Sequence, residues 1–196
     1  MTIQTSKCVP DIHSGILTTT TRLVNPPGPI CVLPQTRQAA QASRLKLSQK
    51  NRLAENEAYL KNQNVKAFLV MIGKSEGGDY HAKYGWHPGS AEWTFTDEST
   101  QPGFGYKNKS TASGLYQINK ACWMEHGVKA QGLSDFSPYT QDLIAVETLR
   151  YRKAMPDVLS GNLKAAIDIL KPNEWVSFQV HSFNDLNDWY TTAGGK

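Results

Sequence analysis

The segment from residue 64 to residue 78 constrains the fold most, because a helical pattern ends there at an acidic residue followed by two glycines. Its apolar residues recur at the spacing of a buried helix face: Val65, Phe68, Leu69, Met71 and Ile72. Asn64 suits the N-cap of such a helix, and Gly77 and Gly78 suit its end. The pattern therefore predicts a buried helix that carries Glu76 at its C-terminal end.

The chain before this helix has a different composition. Residues 1–36 contain five of the ten prolines, which favours extended or irregular structure. Residues 37–61 contain no glycine or proline and many good helix formers, which predicts one helix. We therefore predict a basic, proline-rich extension over residues 1–61, with a helix at about 37–61, and a separate domain over residues 62–196.

The part of the chain after Glu76 predicts further helices and a small β element. Glycine, proline and aromatic residues are frequent over residues 80–109, and residues 93–96 alternate as a short strand does. A helix is expected over residues 114–126, and the Ser137-Pro138 pair is expected to start another. The predicted fold class is therefore α+β, mainly α, with a small β-hairpin or sheet.

The formal net charge of +4 is carried by the N-terminal extension. Residues 1–60 hold seven basic and three acidic residues, whereas residues 61–196 hold fourteen of each. This asymmetry favours an arm that meets an anionic partner, such as a membrane surface, a cell wall or a nucleic acid. A solvated polar extension without a partner is the alternative that the composition leaves open.

The sequence predicts neither a metal site nor a cofactor. The three cysteines, Cys8, Cys31 and Cys122, form no CxxC pair, and the five histidines lack the spacing of metal ligands. A disulfide between Cys8 and Cys31 is compatible with their positions but does not follow from them. Cys122 is expected to be a buried small side chain in a helix.

The first residues do not have the pattern of a secretory signal, since no basic start is followed by a continuous apolar stretch and a small-residue cleavage site. The sequence shows no transmembrane span either. We therefore expect synthesis in the cytoplasm without a signal peptide, and no stable insertion into a membrane.

Glu76 is the first candidate for chemistry. A carboxylic acid that its surroundings keep protonated can deliver a proton, and cleavage of a glycosidic bond needs one at the leaving oxygen. The glycines after Glu76 would let a substrate pass close to the backbone. A capping role at an exposed helix end is the alternative.

A second candidate element begins at Ser110 and contains Ser113, Gly114, Tyr116 and Gln117. Glycine would let a sugar approach the main chain, tyrosine can stack on a pyranose, and glutamine can both donate and accept hydrogen bonds. The alternative is that Tyr116 is a core residue of a helix.

Together these elements resemble the family of endolysins to which that of bacteriophage lambda belongs. The resemblance covers about residues 62–196. It rests on motifs in the same order: Ser75-Glu76-Gly77 after Ala67-Phe68-Leu69, then Phe95-Thr96-Asp97, Ser113-Gly114-Leu115-Tyr116-Gln117-Ile118, Leu133-Ser134-Asp135-Phe136-Ser137-Pro138 and Gln141-Asp142. It implies a lysozyme-like catalytic domain over residues 62–196.

The resemblance also implies an activity. Members of the family act as lytic transglycosylases that cleave the β-1,4 bond between N-acetylmuramic acid and N-acetylglucosamine. Glu76 would protonate the leaving oxygen and then, as a carboxylate, deprotonate the muramoyl 6-hydroxyl, which closes a 1,6-anhydro ring. The expected partner is the glycan strand of peptidoglycan, in the periplasm or in a target cell, and no nucleic acid is expected.

Asp79 and Asp97 are further candidates, as residues that shape the site. An enzyme with two catalytic carboxylates keeps the second about 5–10 Å from the first, and these two are the nearest to Glu76 by sequence position. Two other functions remain open: a hydrolytic muramidase on the same scaffold, and a non-catalytic module that binds the cell wall.

The extension is a departure from the family pattern. Residues 1–61 are expected to be a wall-targeting arm, an export or docking segment of an antibacterial effector, or a cover over the cleft. Export machinery and a cognate inhibitor are accordingly further candidate partners.

Overall fold

The computed structural model describes residues 37–196, which belong to one compact unit. The candidate disulfide between Cys8 and Cys31 lies outside the described residues. The helices are α1 (Arg37–Tyr59), α2 (Gln63–Glu76), α3 (Lys120–Cys122), α4 (Pro138–Tyr151), α5 (Met155–Ser160), α6 (Leu163–Leu170), α7 (Ser177–Val180) and α8 (Phe183–Thr192). A 3₁₀-helix spans Tyr106–Asn108, and a π-helix, Trp123–Lys129, continues α3. None of the helices within residues 37–196 has the length and apolar character needed to cross a membrane.

Helix α2 lies at the centre of the domain. Val65, Phe68 and Ile72 on this helix are each 0% exposed. The Phe68 ring packs edge-on against Phe178 of α7 and Tyr190 of α8, at centroid distances of 6.4 and 6.5 Å. This packing holds α2, the helix that ends at Glu76, against the last two helices of the chain.

Capping residues fix both ends of α2. The N-cap is Asn62, whose side chain accepts hydrogen bonds from the amides of Asn64 and Val65, so the helix starts two residues earlier than predicted. Asn64 instead accepts a hydrogen bond from the Lys196 amide at 2.9 Å. Gly77 ends the helix in the left-handed conformation with φ 61°, as the glycine pair predicts.

Helix α4 is the second buried helix. It begins at the predicted Ser137-Pro138 pair, with the Ser137 side chain accepting from the Thr140 amide. Its apolar residues belong to the same core as α2: Ile144, Ala145, Val146 and Leu149. The two helices thus form the framework of the domain.

The helix predicted over residues 114–126 begins later in the structure. Gly114 has φ 76° and Gln117 has φ 50°, so residues 114–117 form a turn rather than a helix. Helix α3 starts after Asn119, whose side chain accepts from the Cys122 amide. The segment around Gly114 is therefore a loop.

The predicted β-hairpin or small sheet is not confirmed. Among residues 37–196 the extended pairings are isolated bridges, namely Ala82 with Thr94, Lys83 with Ser113, and Ser113 with Ile118. Trp93 has φ 59°, in the left-handed region, which interrupts the extended run predicted over residues 93–96. A strand cannot continue through that conformation.

Helix α1 corresponds to the helix predicted over residues 37–61 and is attached to α4 through polar atoms. Asn56 is fully buried, donates to Gln131 and Glu147 at 2.8 and 2.9 Å, and accepts from Arg150 at 3.0 Å. Glu147 is 4% exposed and also accepts from Arg52 at 2.8 Å. These five residues are hereafter the α1–α4 polar cluster. Within it, Arg52 and Arg150 compensate the charge of the buried Glu147 carboxylate.

Replacement of Asn56 by alanine is expected to lower the free energy of unfolding by about 2–3 kcal/mol, because buried partners on α4 lose their hydrogen bonds. The measurement is urea unfolding followed by circular dichroism. Asn51→Ala, on the exposed side of the same helix, is the control and should cost less than about 0.5 kcal/mol. Equal losses in the two variants would contradict a specific role of the cluster.

Candidate active site

A cavity of about 250 Å³ lies at the C-terminal end of α2, and Glu76 forms part of its wall. The other walls come from the loop before α3, from α3 and α4, and from the segment before α7. The lining includes Tyr84, Tyr116, Gln117, Cys122, Glu174 and Trp175. This space is hereafter the Glu76 cavity.

Glu76 is half-buried and is held by the start of α7. The Ser177 hydroxyl donates a hydrogen bond to Glu76 Oε1 at 2.5 Å. Ser177 Oγ also lies 3.0 Å from Ser75 Oγ, and His181 Nε2 lies 3.0 Å from the Ser75 carbonyl oxygen. The orientation of the carboxyl group is therefore fixed by contacts from α7 and from the residue after it.

The surroundings of Glu76 act on its acidity in opposite directions. Burial raises the pKa of its carboxyl group above the ordinary value, and this is the largest effect. The hydroxyl and the amide of Ser177, and the charge of His181, lower the pKa in part. The net direction is upward, so more of this carboxyl group is protonated near neutral pH than in an exposed glutamate, which suits a general acid.

Ser113 and Gly114 lie behind the lining of the cavity. Ser113 is 0% exposed, and its amide and carbonyl both pair with Ile118. At Gly114, an added Cβ would lie 1.9 Å from Gln141 Oε1, an oxygen that accepts from the Leu115 amide at 3.0 Å. These contacts hold the shape of the loop, and contacts of the two residues with a substrate stay predictions.

Tyr116 and Gln117 both line the Glu76 cavity. Tyr116 is 3% exposed, its hydroxyl donates to Asp142 at 2.6 Å, and its carbonyl accepts from the Trp175 ring nitrogen at 3.1 Å. Its ring is thus a fixed wall with little free face. Gln117 donates through Nε2 to the Gly114 carbonyl at 3.1 Å. Their predicted contacts with a sugar stay predictions.

Asp79 and Asp97 are not among the lining residues of the Glu76 cavity. Both are exposed and bind nearby backbone amides, Asp79 that of His81 at 2.9 Å and Asp97 that of Ser99 at 2.8 Å. The Ser99 contacts hold the pKa of Asp97 below its ordinary value. The structure therefore gives these two carboxylates roles in turns.

Four residues of the site are not singled out by any motif: Tyr84, Glu174, Trp175 and Ser177. Glu174 is a second carboxylate in the Glu76 cavity, and Arg152 forms an ion pair with it. Ser177 reaches Glu76 across 101 positions of sequence. The nearest signal is the composition of residues 174–177, which place a carboxylate, an indole and a hydroxyl within four positions.

Within residues 37–196, histidine, cysteine, aspartate and glutamate side chains do not come together in groups of three or more that could hold a metal ion.

Solved lysozyme structures are similar to this mainly helical domain. The structure is similar to that of bacteriophage lambda lysozyme complexed with a chitohexasaccharide, with a TM-score of 0.58 and 31% identity over 69% of this chain and 96% of that chain. A second structure of lysozyme from bacteriophage lambda gives a TM-score of 0.55 and 29% identity over the same shares, 69% and 96%.

Sequence comparison makes the assignment more specific. The profile of the endolysin family matches residues 66–196. The endolysin of Escherichia phage P2 is 34% identical over 68% of this chain and 94% of its own length, and that of Escherichia phage lambda is 36% identical over 68% and 93%. The chain therefore belongs to the endolysin family, and it is a peptidoglycan-degrading glycosidase with the lysozyme-like, mainly helical fold that its motifs predict.

Proposed function

We propose that the protein is a lytic transglycosylase, which cleaves the β-1,4 bond between N-acetylmuramic acid and N-acetylglucosamine and leaves a 1,6-anhydro end. The observation that carries this proposal is the Glu76 carboxyl group. It lines a cavity, burial raises its pKa, and the Ser177 hydroxyl orients it. The similar lambda lysozyme, complexed with a chitohexasaccharide, supports a glycan strand as the ligand of this cavity.

One carboxyl group can serve both steps of this reaction. Protonated Glu76 first donates its proton to the glycosidic oxygen while the bond from that oxygen to C1 of the muramoyl ring breaks. The resulting carboxylate then accepts the proton of the 6-hydroxyl as O6 bonds to C1, so Glu76 ends protonated and water is not consumed. Between the two steps the Ser177 hydroxyl stabilises the carboxylate by a charge-assisted hydrogen bond.

The loop over residues 113–117 is the proposed binding element for the sugar on one side of the scissile bond. Tyr116 and Gln117 line the cavity, while Ser113 and Gly114 hold the loop behind them. Asp79 and Asp97 would act on the site through the turns that they form. The proposed ligand is the glycan strand of peptidoglycan. Peptidoglycan is also the proposed place of action of the protein.

A hydrolytic muramidase is the second candidate, and Glu174 is the observation that favours it. Glu174 is a second carboxylate that lines the Glu76 cavity. In glycoside hydrolases a second carboxylate activates water or forms the glycosyl-enzyme intermediate. Because Arg152 Nε binds Glu174 Oε1, part of that carboxylate is already engaged.

Product analysis in isotopically labelled water separates the two candidates. Purified sacculi are digested in water enriched in oxygen-18, and the released muropeptides are analysed by mass spectrometry. We expect 1,6-anhydro ends without heavy oxygen, from the wild type and from Glu174→Gln alike. Reducing ends that contain heavy oxygen, and that are lost in Glu174→Gln, would assign the reaction to hydrolysis.

Replacement of Ser177 by alanine is expected to move the alkaline limb of the pH–activity profile to higher pH. Glu76 must be protonated to act as an acid, so activity falls as the pH rises through its pKa. The Ser177 hydroxyl favours the charged form, so its removal raises that pKa further and moves the limb to higher pH. We also expect kcat to fall about tenfold, because the carboxyl group loses an orienting contact.

The control for this experiment is Ser160→Ala. The Ser160 hydroxyl binds the Asp157 carbonyl at 3.1 Å, and Ser160 does not line the Glu76 cavity. Its profile should match that of the wild type. A limb that stays in place or moves to lower pH in Ser177→Ala would contradict the proposed contact with the catalytic carboxyl group.

The N-terminal extension, residues 1–61, is proposed to be an addition to the family domain. The family match begins at residue 66, near the boundary predicted between residues 61 and 62, whereas α1 belongs to the same compact unit as residues 62–196. Helix α1 is the part of the extension that docks on α4. Export machinery and a cognate inhibitor remain proposed partners of the protein.

A further inference from the structure

A second cavity, of about 450 Å³, lies beside the Glu76 cavity. The two share three lining residues, Asn119, Cys122 and Glu174, so they are neighbours across a common wall. The second cavity is in the size range of sites that bind small molecules, which is about 300–1,000 Å³. The reaction proposed above makes no use of it.

Charged side chains dominate the chemistry of the second cavity. Three carboxylates line it, those of Glu125, Glu147 and Glu174, against one guanidinium group, that of Arg152. Burial lowers the pKa of His126, another lining residue, so the imidazole is mostly neutral near pH 7. Each of the three carboxylates has a cationic partner: Arg52 and Arg150 pair with Glu147, Arg152 with Glu174, and Lys129 with Glu125. Because the Glu125–Lys129 pair is exposed and such a pair contributes little free energy, the ammonium group of a ligand can take the place of Lys129 beside Glu125.

The wall and the rim of the second cavity are ordered by internal contacts. His126 Nδ1 lies 2.8 Å from Thr148 Oγ1, which itself donates to the Ile144 carbonyl at 2.9 Å. The Tyr151 ring is 64% exposed at the rim and packs on the His126 ring at a centroid distance of 5.0 Å. A fixed aromatic surface beside carboxylates suits a ligand with both apolar and cationic parts.

The chemistry of peptidoglycan supplies such a ligand next to the cleavage site. Each muramoyl residue carries a short peptide on its lactyl group, and the diamino acid of an uncrosslinked peptide has a free ammonium group. A glycan such as a chitohexasaccharide has no such branch, so the ligand of the similar lambda lysozyme does not test where the peptide lies. A muramoyl residue in the Glu76 cavity must direct its peptide into adjacent space.

We propose that the second cavity binds the stem peptide of the muramoyl residue held in the Glu76 cavity, with the Glu125 carboxylate facing the ammonium group of the diamino acid. This proposal rests on the proposed function. It adds a binding site for a peptide to an enzyme that acts on a glycan, and it makes the enzyme selective for uncrosslinked, unmodified stems.

The test compares two soluble substrates: glycan strands with uncrosslinked stem peptides, and the same strands after an amidase has removed the peptides. Ala121→Trp fills the mouth of the second cavity, and Glu125→Gln removes one of its charges; both residues line this cavity and not the Glu76 cavity. We expect each change to raise KM for the peptide-bearing strands about three- to tenfold. KM for the stripped strands should not change.

Matched controls are Ala58→Trp and Glu92→Gln, at exposed positions that line neither cavity. A third substrate, strands with acetylated diamino acids, tests the charge. The wild-type KM for these strands should equal the KM of Glu125→Gln for unmodified peptide-bearing strands. Acetylation should not raise the KM of Glu125→Gln further. Because Glu125 also pairs with Lys129, the folded fraction of each variant is checked by thermal unfolding.

The outcomes separate the two proposals. If the KM of the variants rises equally for both substrates, or rises for neither, the second cavity is not a peptide site, while the proposed function stands. If the wild type cleaves neither substrate into 1,6-anhydro products, the proposed function fails instead.

Discussion

Glu76→Gln is expected to lower kcat on purified sacculi by about 10²–10⁴-fold, the range that a general acid contributes. Glutamine cannot donate the proton that the leaving oxygen needs, but its carbonyl oxygen can still accept the hydrogen bond that Ser177 donates to Glu76 Oε1 at 2.5 Å. The shape of the Glu76 cavity should therefore persist. Binding of the glycan should change little, so the loss falls on kcat rather than on KM.

The stability of Glu76→Gln distinguishes loss of chemistry from loss of fold. The pKa of Glu76 is raised in the folded protein, so this group stabilises the fold below its unfolded pKa and that contribution is lost as the pH rises through the folded pKa. At neutral pH the neutral glutamine should be at least as stable as the carboxylate. Thermal unfolding at pH 7 measures this.

The control for Glu76→Gln is Glu92→Gln, at an exposed position outside the cavity. Its rate of sacculus clearing should match that of the wild type. Full activity of Glu76→Gln would overturn the assignment of Glu76 as the acid, and inactivity together with a large loss of stability would attribute the defect to folding.

Gly114→Ala is expected to lower the free energy of unfolding by about 3–5 kcal/mol, as the sum of a steric and a conformational cost. The added methyl group would lie 1.9 Å from Gln141 Oε1. Gln141 cannot easily move, because it is 0% exposed and its Nε2 donates to the carbonyls of Tyr80 and Phe136, both at 3.0 Å. The left-handed backbone, with φ 76°, adds strain for alanine.

Gly103→Ala is a close control for Gly114→Ala. Gly103 has the same φ, 76°, but an added Cβ there has nothing within 4 Å. It therefore measures the conformational cost alone, about 1–2 kcal/mol. The free energies of unfolding of the two variants, measured in guanidinium chloride, should differ by the cost of the clash with Gln141. Equal losses of stability would show that the Gln141 side chain moves to relieve the clash.

Local sequence signals predicted the framework of the catalytic domain well. Helix α2 and its end at Gly77 follow from apolar spacing and a glycine, and the start of α4 follows from Ser137 and Pro138. These features depend on neighbours within four positions, which a sequence displays directly. Glu76 belongs to the same group, because its position at the end of α2 follows from the helix itself.

The sequence did not predict features that depend on distant contacts or on individual backbone angles. The expected strand over residues 93–96 fails because Trp93 adopts φ 59°, a value without a local signature. Asp79 and Asp97 are near Glu76 in sequence, yet turn hydrogen bonds hold both outside the cavity lining. Ser177 lies far away in sequence, and the packing of α7 against α2 brings it to Glu76.

The α1–α4 polar cluster decides where a minimal fragment of this protein should begin. Trimming the chain to residue 66, where the family match starts, would remove Asn56 and Arg52 and leave Glu147 with Arg150, 3.6 Å away, as its remaining charged partner. A fragment for crystallisation, or for grafting onto another carrier protein, should therefore start at residue 37. A shorter fragment would need Glu147 replaced by an apolar residue of similar volume.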